Sequence, residues 1–162
     1  MIVLGYVGDH AKDTLLVRLG WWLTRLSQSG PYKRVTHTEA VLKGTNYKVC
    51  TIASSSARDG GVRAKQDVTL TKGNWIAIDV PVWDVWLAAA WFFKHAGAKY
   101  DWFGAVATRI FWLRGIAGRY FCNQSTGEPF IKTAGQFPPC QFVAIALSMP
   151  GARICTDEFF KD

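Results

Sequence analysis

Residues 35–42 have the sequence VTHTEAVL, and this stretch decides how the rest of the chain is interpreted. Successive side chains of a β-strand point to opposite faces of the sheet. The alternation therefore predicts a strand with His37 and Glu39 on one face, about 6.5 to 7 Å apart at Cα. A carboxylate at that spacing can hold an imidazole in one tautomer, as the orienting residue of a nucleophile–base–orienter set does. A solvated polar strand face gives the same pattern, so spacing alone leaves both interpretations open.

Three further segments have strand character, and turn signals separate them. Gly44–Asn46 and the RDGG sequence at 58–61 are typical of turns. The pattern predicts an antiparallel meander of three or four strands. After residues 35–42, the predicted strands are Tyr47–Ser54, Val62–Leu70 and Trp75–Val80.

Helical periodicity flanks this meander on both sides, and the first seven residues predict a short buried strand. An order of helix, meander and helices indicates an α+β fold. The chain has 162 residues and no long linker, which predicts a single domain over residues 1–162. The predicted helices are Thr14–Gln28, Val82–His95, Trp102–Leu113 and Gln141–Met149.

The charge of the chain narrows the classes of partner. Nineteen Lys and Arg against twelve Asp and Glu give a formal net charge of +7. That excess favours an anionic partner, such as an envelope polymer, acidic lipid or nucleic acid. The basic residues are scattered along the sequence, so nucleic-acid binding has only the net charge in its favour and we do not expect it.

Membrane and export signals are absent from the sequence pattern. The longest uncharged apolar stretch, Val85–Phe93, is far shorter than the roughly twenty residues that a spanning helix needs. The N-terminal sequence MIVLGYVGDH lacks a basic n-region and reaches Asp9 early, so we expect no secretory signal peptide. Synthesis and retention in the cytoplasm would keep the cysteines reduced.

The four cysteines are Cys50, Cys122, Cys140 and Cys155. They are widely spaced and form no C-x-x-C pair, so we expect no metal and no cofactor. Cys122 differs from the others because the polar residues after it are suited to a helix start. The positive end of a helix dipole lowers a thiol pKa, and the amides there can bind an oxyanion. An inert core cysteine is the alternative interpretation.

Five segments, taken in order, resemble the motifs of circularly permuted papain-like cysteine amidases, which are relatives of the NlpC-type cell-wall peptidases. The resemblance is strongest to phage-encoded tail-associated or lytic members, and it spans most of the chain. His37 precedes Cys122 by 85 residues, the order that distinguishes the permuted form. The matching segments are VTHTEAVL (a "SHVE"-type strand), SSSARDGGVRAK (a serine-rich D-G-G-V-R stretch), GAKYDW (G-x-x-Y-D-W), RYFCNQ (F-C-S-E) and FPPCQFVAIAL (a proline loop and last helix).

The resemblance implies a permuted papain-like fold with a meander or barrel-like sheet packed against helices. It implies that Cys122 is the nucleophile of an amide hydrolase and that His37 is the general base. Glu39 would orient His37, and Thr51 on a neighbouring strand is a rival for that role.

The same resemblance suggests roles for residues near the nucleophile. The backbone amide of Cys122 would supply one oxyanion donor, and Tyr100 would be a second. Asp101, beside Tyr100, would be a structural anchor rather than a catalytic group.

Two departures from the family motif bear on activity. Asn123-Gln124 replaces the Ser-Glu that follows the family's cysteine, which removes a carboxylate beside the nucleophile. Gly127 and Pro129 fall where the family has an Ala-rich helix, and proline inside a helix costs about 3 kcal/mol or more. We therefore expect a short, kinked or displaced cysteine-bearing helix, with weak or no activity as one consequence.

These observations lead to three functional hypotheses. The first is a hydrolase that cleaves peptidoglycan stem peptides in a phage tail or lytic context, made in the host cytoplasm and located in the virion tail. Its partners would be peptidoglycan or another anionic envelope polymer, together with other tail proteins. The second is an inactive structural or binding protein of a tail tip. The third is a lipid-directed amidase or acyltransferase, which the basic charge and the aromatic helix over 82–95 would allow.

Overall fold

The structure is a computed structural model that describes residues 1–8, 14–15, 18–19, 22, 28–44, 46–107, 117–131 and 137–161. These residues form six β-strands and five helices, which confirms the predicted α+β class. The strands are β1 (Ile2–Tyr6), β2 (His37–Lys43), β3 (Cys50–Ser56), β4 (Gly61–Val68), β5 (Trp75–Asp79) and β6 (Arg153–Ile154). The helices are α1 (Val85–Lys94), α2 (Trp102–Ala107), α3 (Cys122–Gly127), α4 (Pro139–Ser148) and α5 (Thr156–Phe159). Most of the helix predicted over Thr14–Gln28, and the 108–113 part of the one predicted over Trp102–Leu113, lie outside the described residues.

The strands form one open antiparallel sheet in the order β4-β3-β2-β1-β5-β6. The meander prediction is confirmed for β2, β3 and β4. It is wrong for β5, which pairs with β1 instead of β4. The physical reason is that Val3 and Leu4 of β1 are fully buried on opposite faces, so β1 occupies the middle of the sheet with a neighbour on each side. The barrel-like closure expected from the resemblance is absent from this open sheet.

Helices cover both faces of the sheet. On one face Val3 and Ile78 pack against Phe142 and Val143 of α4. On the other face Leu4 and Ile52, among others, pack with Phe159 at the C-terminal end. No pattern in residues 150–162 predicted β6 or α5, because elements of two and four residues are too short to show a period.

Helix α1 begins at Val85 because Asp84 caps it. The Asp84 side chain accepts a hydrogen bond of 2.8 Å from the backbone N–H of Trp86, which satisfies one of the free donors at a helix start. The buried side chains of α1 are Ala88 and Phe92. Phe92 packs in a hydrophobic cluster with Ala40 of β2. No helix in the described part of the chain is long and apolar enough to span a bilayer.

Candidate active site

His37 and Glu39 form a buried pair on one face of β2. His37 is the first residue of the strand, and both side chains are buried. The imidazole Nε2 lies 3.1 Å from the Glu39 Oε1, which is hydrogen-bond distance. The predicted shared face is therefore confirmed, and the alternative of a solvated polar face is wrong.

Cys122 meets this pair from the far end of the sequence. It is the first residue of α3 and only 2% exposed. Burial acts to raise the pKa of the Cys122 thiol, but a hydrogen bond and charge attraction from His37 outweigh it. The backbone N–H groups of Thr38 and Asn123 act in the same direction, so the net thiol pKa is below its ordinary value. These influences favour a thiolate at this position.

The pKa of His37 is raised, which complements the lowered pKa of the Cys122 thiol. Burial acts to lower it, but hydrogen bonding and charge attraction from Cys122, followed by those from Glu39, raise the pKa of His37 to about 9. An imidazolium flanked by a thiolate and a carboxylate is the expected consequence. The structure thus brings together Cys122, His37 and Glu39, the three residues that the resemblance singles out.

Hydroxyl groups hold α3 against the sheet. The Ser125 Oγ accepts a 2.8 Å hydrogen bond from the backbone N–H of Ser55 on β3 and donates one of 2.8 Å to the Cys122 carbonyl. The Thr126 Oγ1 donates to the same carbonyl over 2.9 Å, and the Ser55 Oγ donates to the Tyr120 carbonyl. Ser55, Ser125 and Thr126 are fully buried, and buried polar groups must be paired in this way. This network fixes where Cys122 sits relative to β3, a role that the sequence did not reveal.

Helix α3 is short, as Pro129 predicted. It ends at Gly127. The N–H of Glu128 bonds to the Gln124 carbonyl, and beyond Pro129 the N–H groups of Phe130 and Ile131 both bond to the Gly127 carbonyl. Pro129 has no N–H with which to extend the series. The proline therefore limits the helix to six residues without displacing Cys122 from its first position.

Asn123, which stands where the motif that the chain resembles has serine, is fully buried beside the thiol. Its Oδ1 accepts a 3.2 Å hydrogen bond from the Cys122 Sγ, and its Nδ2 donates to the Phe137 carbonyl. The amide thus links the Cys122 thiol to the loop that precedes α4. A side-chain amide suits this position because it accepts and donates at the same time.

Arg63 of β4 is the main site residue that sequence reasoning missed. Its guanidinium binds both oxygens of Glu39, with Nη1–Oε2 at 2.9 Å and Nη2–Oε1 at 2.6 Å. Burial acts to raise the pKa of Glu39, but His37 and Arg63 together lower it to about 2. The bidentate pair therefore keeps Glu39 ionised behind the imidazole.

Two further charges extend this pair toward the surface. Asp59 accepts a 2.8 Å hydrogen bond from the Arg63 Nε and another of 2.8 Å from the Lys65 Nζ. From His37 outward the charges alternate in sign through Glu39, Arg63, Asp59 and Lys65. The two-residue period of a strand places Arg63 and Lys65 on one face of β4. The RDGGVRAK sequence therefore indicated that these two basic side chains share a face. Only the pairing of β4 with β3, which sets Arg63 opposite Ser54, brings the guanidinium to Glu39.

Tyr100 and Asp101 lie between α1 and α2 in the chain, and Tyr100 is close enough to Cys122 for its charge to act on the phenol. Tyr100 is buried, and burial together with the charge of Cys122 raises its pKa well above 10. Its phenol therefore stays protonated near Cys122, and its role as an oxyanion donor stays a prediction. The Asp101 Oδ1 accepts a 2.8 Å hydrogen bond from the Gly104 N–H, which fits a structural anchor for α2. The rival orienter Thr51 pairs with Lys43, at the opposite end of β2 from His37.

A cavity of about 210 Å³ is lined by His37, Glu39 and Arg63, among others. Its walls combine the aromatic side chains of Tyr6 and Trp75 with the basic side chains of Arg58 and Lys65. The Tyr6 and Trp75 rings meet edge to face at 4.8 Å.

In the described chain, no cluster of three or more His, Cys, Asp or Glu residues is arranged to hold a metal.

Acid conditions should weaken the fold through Glu39. Its folded pKa of about 2 lies below its ordinary value of 4.5, so its contribution to stability is complete above pH 4.5 and disappears as the pH falls toward 2. Between pH 6 and pH 3 we expect this group to lose about 2 kcal/mol of the free energy of unfolding. Urea titrations of the wild-type protein and of Glu39→Gln at both pH values measure the difference. Asp157→Asn, at an exposed position, should behave as wild type, and an equal acid loss in Glu39→Gln would contradict the assignment.

The chain was compared with known proteins in three ways. No protein-family model matches it, and no match was found among curated proteins or among solved structures. The interpretation of the site therefore rests on its geometry and chemistry, together with the motif resemblance described above.

Proposed function

We propose that this chain is a cysteine hydrolase that cleaves an amide bond through Cys122 and His37, in a circularly permuted papain-like domain. The observation that supports this most is the interaction of Cys122 with His37, whose Nε2 contacts Glu39. A thiol, a base within reach and a group that orients the base are what covalent amide hydrolysis requires.

The geometry suggests a defined role for each ring nitrogen. Because the Nε2 of His37 contacts Glu39, the Nδ1 is the nitrogen that takes the thiol proton. The Cys122 sulfur attacks the carbonyl carbon, and the carbonyl electron pair moves to oxygen to give a tetrahedral oxyanion. Collapse of that intermediate breaks the C–N bond as His37 protonates the leaving amine. His37 then takes a proton from water, which attacks the thioester and releases the acid and Cys122.

Peptidoglycan stem peptides are the substrate class that we propose, in a phage tail or lytic context. The net charge of +7 suits an anionic envelope polymer. Local wall cleavage by a virion tail protein, made in the host cytoplasm, is the setting suggested by the phage-like motifs. A phenol that stays protonated at Tyr100 would add a donor for the oxyanion.

The thiol reactivity of Cys122 tests the mechanism without knowledge of the substrate. We expect iodoacetamide to alkylate Cys122 at pH 6 about 100-fold faster than an unperturbed thiol, because an ordinary thiol is less than about 1% thiolate at that pH. His37→Ala should remove this advantage and move labelling toward pH 8.5 or above. Peptide mass spectrometry resolves the rate at each cysteine.

The other cysteines are controls within the same molecule. Burial raises the pKa of Cys50, Cys140 and Cys155, so these three should label slowly at pH 6 in both proteins. Labelling of Cys122 that rises only near pH 8.5 in both proteins would rule out a thiolate–imidazolium pair.

A second candidate function has one observation in its favour. Cys122 is only 2% exposed, and its thiol donates a hydrogen bond to the Asn123 Oδ1, as in a thiol with a structural role. A tail-tip protein that retains the fold for binding would show this arrangement, and Cys122 would label slowly at pH 6, with a rise only near pH 8.5, both with and without His37.

A further inference from the structure

The outer face of α1 is apolar, although it is exposed. Trp86 is 79% exposed, Leu87 56% and Phe93 89%. At 3.6 residues per turn these three side chains and Ala90 lie on one contiguous face, opposite the buried Ala88 and Phe92. The only charged side chain of the helix is Lys94, in its last turn. A helix face that meets water normally has polar residues, so this face is suited to a partner.

From this face we infer that α1 docks the protein onto an anionic lipid surface. Trp, Phe and Leu side chains with a neighbouring Lys are typical of helices that lie in the headgroup region of a bilayer. Lys94 can pair with lipid phosphates at the edge of the same face. The net charge of +7 attracts the whole molecule to an anionic leaflet.

The size of the face distinguishes lipid from a second copy of the chain. Trp86 and Phe93, the two most exposed members, offer on the order of 400 Å² together. A stable protein–protein interface needs about 800 Å² from each partner. A ten-residue helix does not reach that area alone, whereas a bilayer needs only a few inserted side chains.

Vesicle co-sedimentation of the full chain tests this inference. The probes are vesicles of phosphatidylcholine with about one third phosphatidylglycerol, and vesicles of phosphatidylcholine alone. We expect binding to the mixed vesicles that weakens several-fold in high salt. The double variant Trp86→Ser, Phe93→Ser should lower the partition coefficient at least about 30-fold, and Lys94→Gln about five-fold on the anionic vesicles only.

A matched control variant replaces two exposed hydrophobic side chains outside α1 with serine. Val49 and Ile154 are 60% and 50% exposed and lie outside α1, so Val49→Ser with Ile154→Ser should bind vesicles as wild type does. An unchanged Cys122 alkylation profile shows that each variant is folded, and this readout is independent of lipid.

Three results would contradict docking of α1 onto an anionic lipid surface. Absence of binding to anionic vesicles, or equal loss of binding in the control variant, overturns the inference. So does a dimer in sedimentation equilibrium that Trp86→Ser, Phe93→Ser dissociates, since the occupant of the face is then a second copy. None of these three results bears on Cys122 and His37, so failure of this inference and failure of the hydrolase proposal are distinguishable.

Discussion

Replacing Cys122 with Ala should lower hydrolysis of a peptidoglycan stem-peptide amide by about 10⁴-fold or more. The sulfur is the atom that forms the covalent intermediate in the proposed mechanism, and loss of a nucleophile removes that path entirely. The remaining rate would come from binding and from oxyanion donors such as the Tyr100 phenol. Release of amine from purified muropeptides, followed by mass spectrometry, measures the rate.

The matched control is another buried cysteine. Cys140 is buried at the start of α4, and Cys140→Ala should keep full activity at a small cost in stability. Circular dichroism should show both variants folded. If Cys122→Ala hydrolyses muropeptides at the wild-type rate, the mechanism is wrong, whatever the source of the activity.

Replacing Arg63 with Met should destabilise the fold by about 3–5 kcal/mol. Glu39 is buried, and two hydrogen bonds from the Arg63 guanidinium stabilise its charge. Removal of one member of a buried pair leaves the other charge uncompensated, which costs far more than the intact pair contributes. Guanidinium chloride titrations at pH 7 give the free energy of unfolding.

The same substitution should change the reactivity of the thiol. Without Arg63, burial would raise the pKa of Glu39, and a neutral Glu39 would no longer support the imidazolium of His37. Alkylation of Cys122 at pH 6 should then slow, so Arg63 is a positioning residue that acts through Glu39. Arg63→Lys keeps the charge but not the bidentate geometry, and should recover only part of both losses.

Asp59 supplies the control for this second prediction. It binds Arg63 from the outer side and is partly exposed. Asp59→Asn should therefore cost about 1 kcal/mol or less and leave the alkylation profile of Cys122 nearly unchanged. A loss in Arg63→Met no larger than that in Asp59→Asn would refute the assigned role of the guanidinium.

Local patterns in the sequence determined several parts of the structure. The two-residue period placed His37 and Glu39 on one face, because that period is a property of any extended backbone. The RDGG turn located the β3–β4 hairpin, and Pro129 set the end of α3, because both effects act within a few residues. The helical period of residues 82–95 located α1, with a start three residues late because Asp84 is its cap.

Other features depended on contacts that no local pattern encodes. The central position of β1 decided where β5 pairs. The register of β3 with β4 brought Arg63 to Glu39. The exposed face of α1 was also unpredicted, because an aromatic helix has the same sequence whether its outer face is covered or open.

By itself, the sequence determined the α+β class, the shared face of His37 and Glu39, and the position of Cys122 at a helix start. Only the tertiary structure decided that Cys122 meets His37 across 85 residues, and that buried hydroxyls and Arg63 hold the two in place. The physical reason is that periodicity and turn chemistry act between near neighbours in the chain. Partners of buried charges and hydroxyls are instead chosen by strand order, register and helix docking, which form only when the whole chain folds.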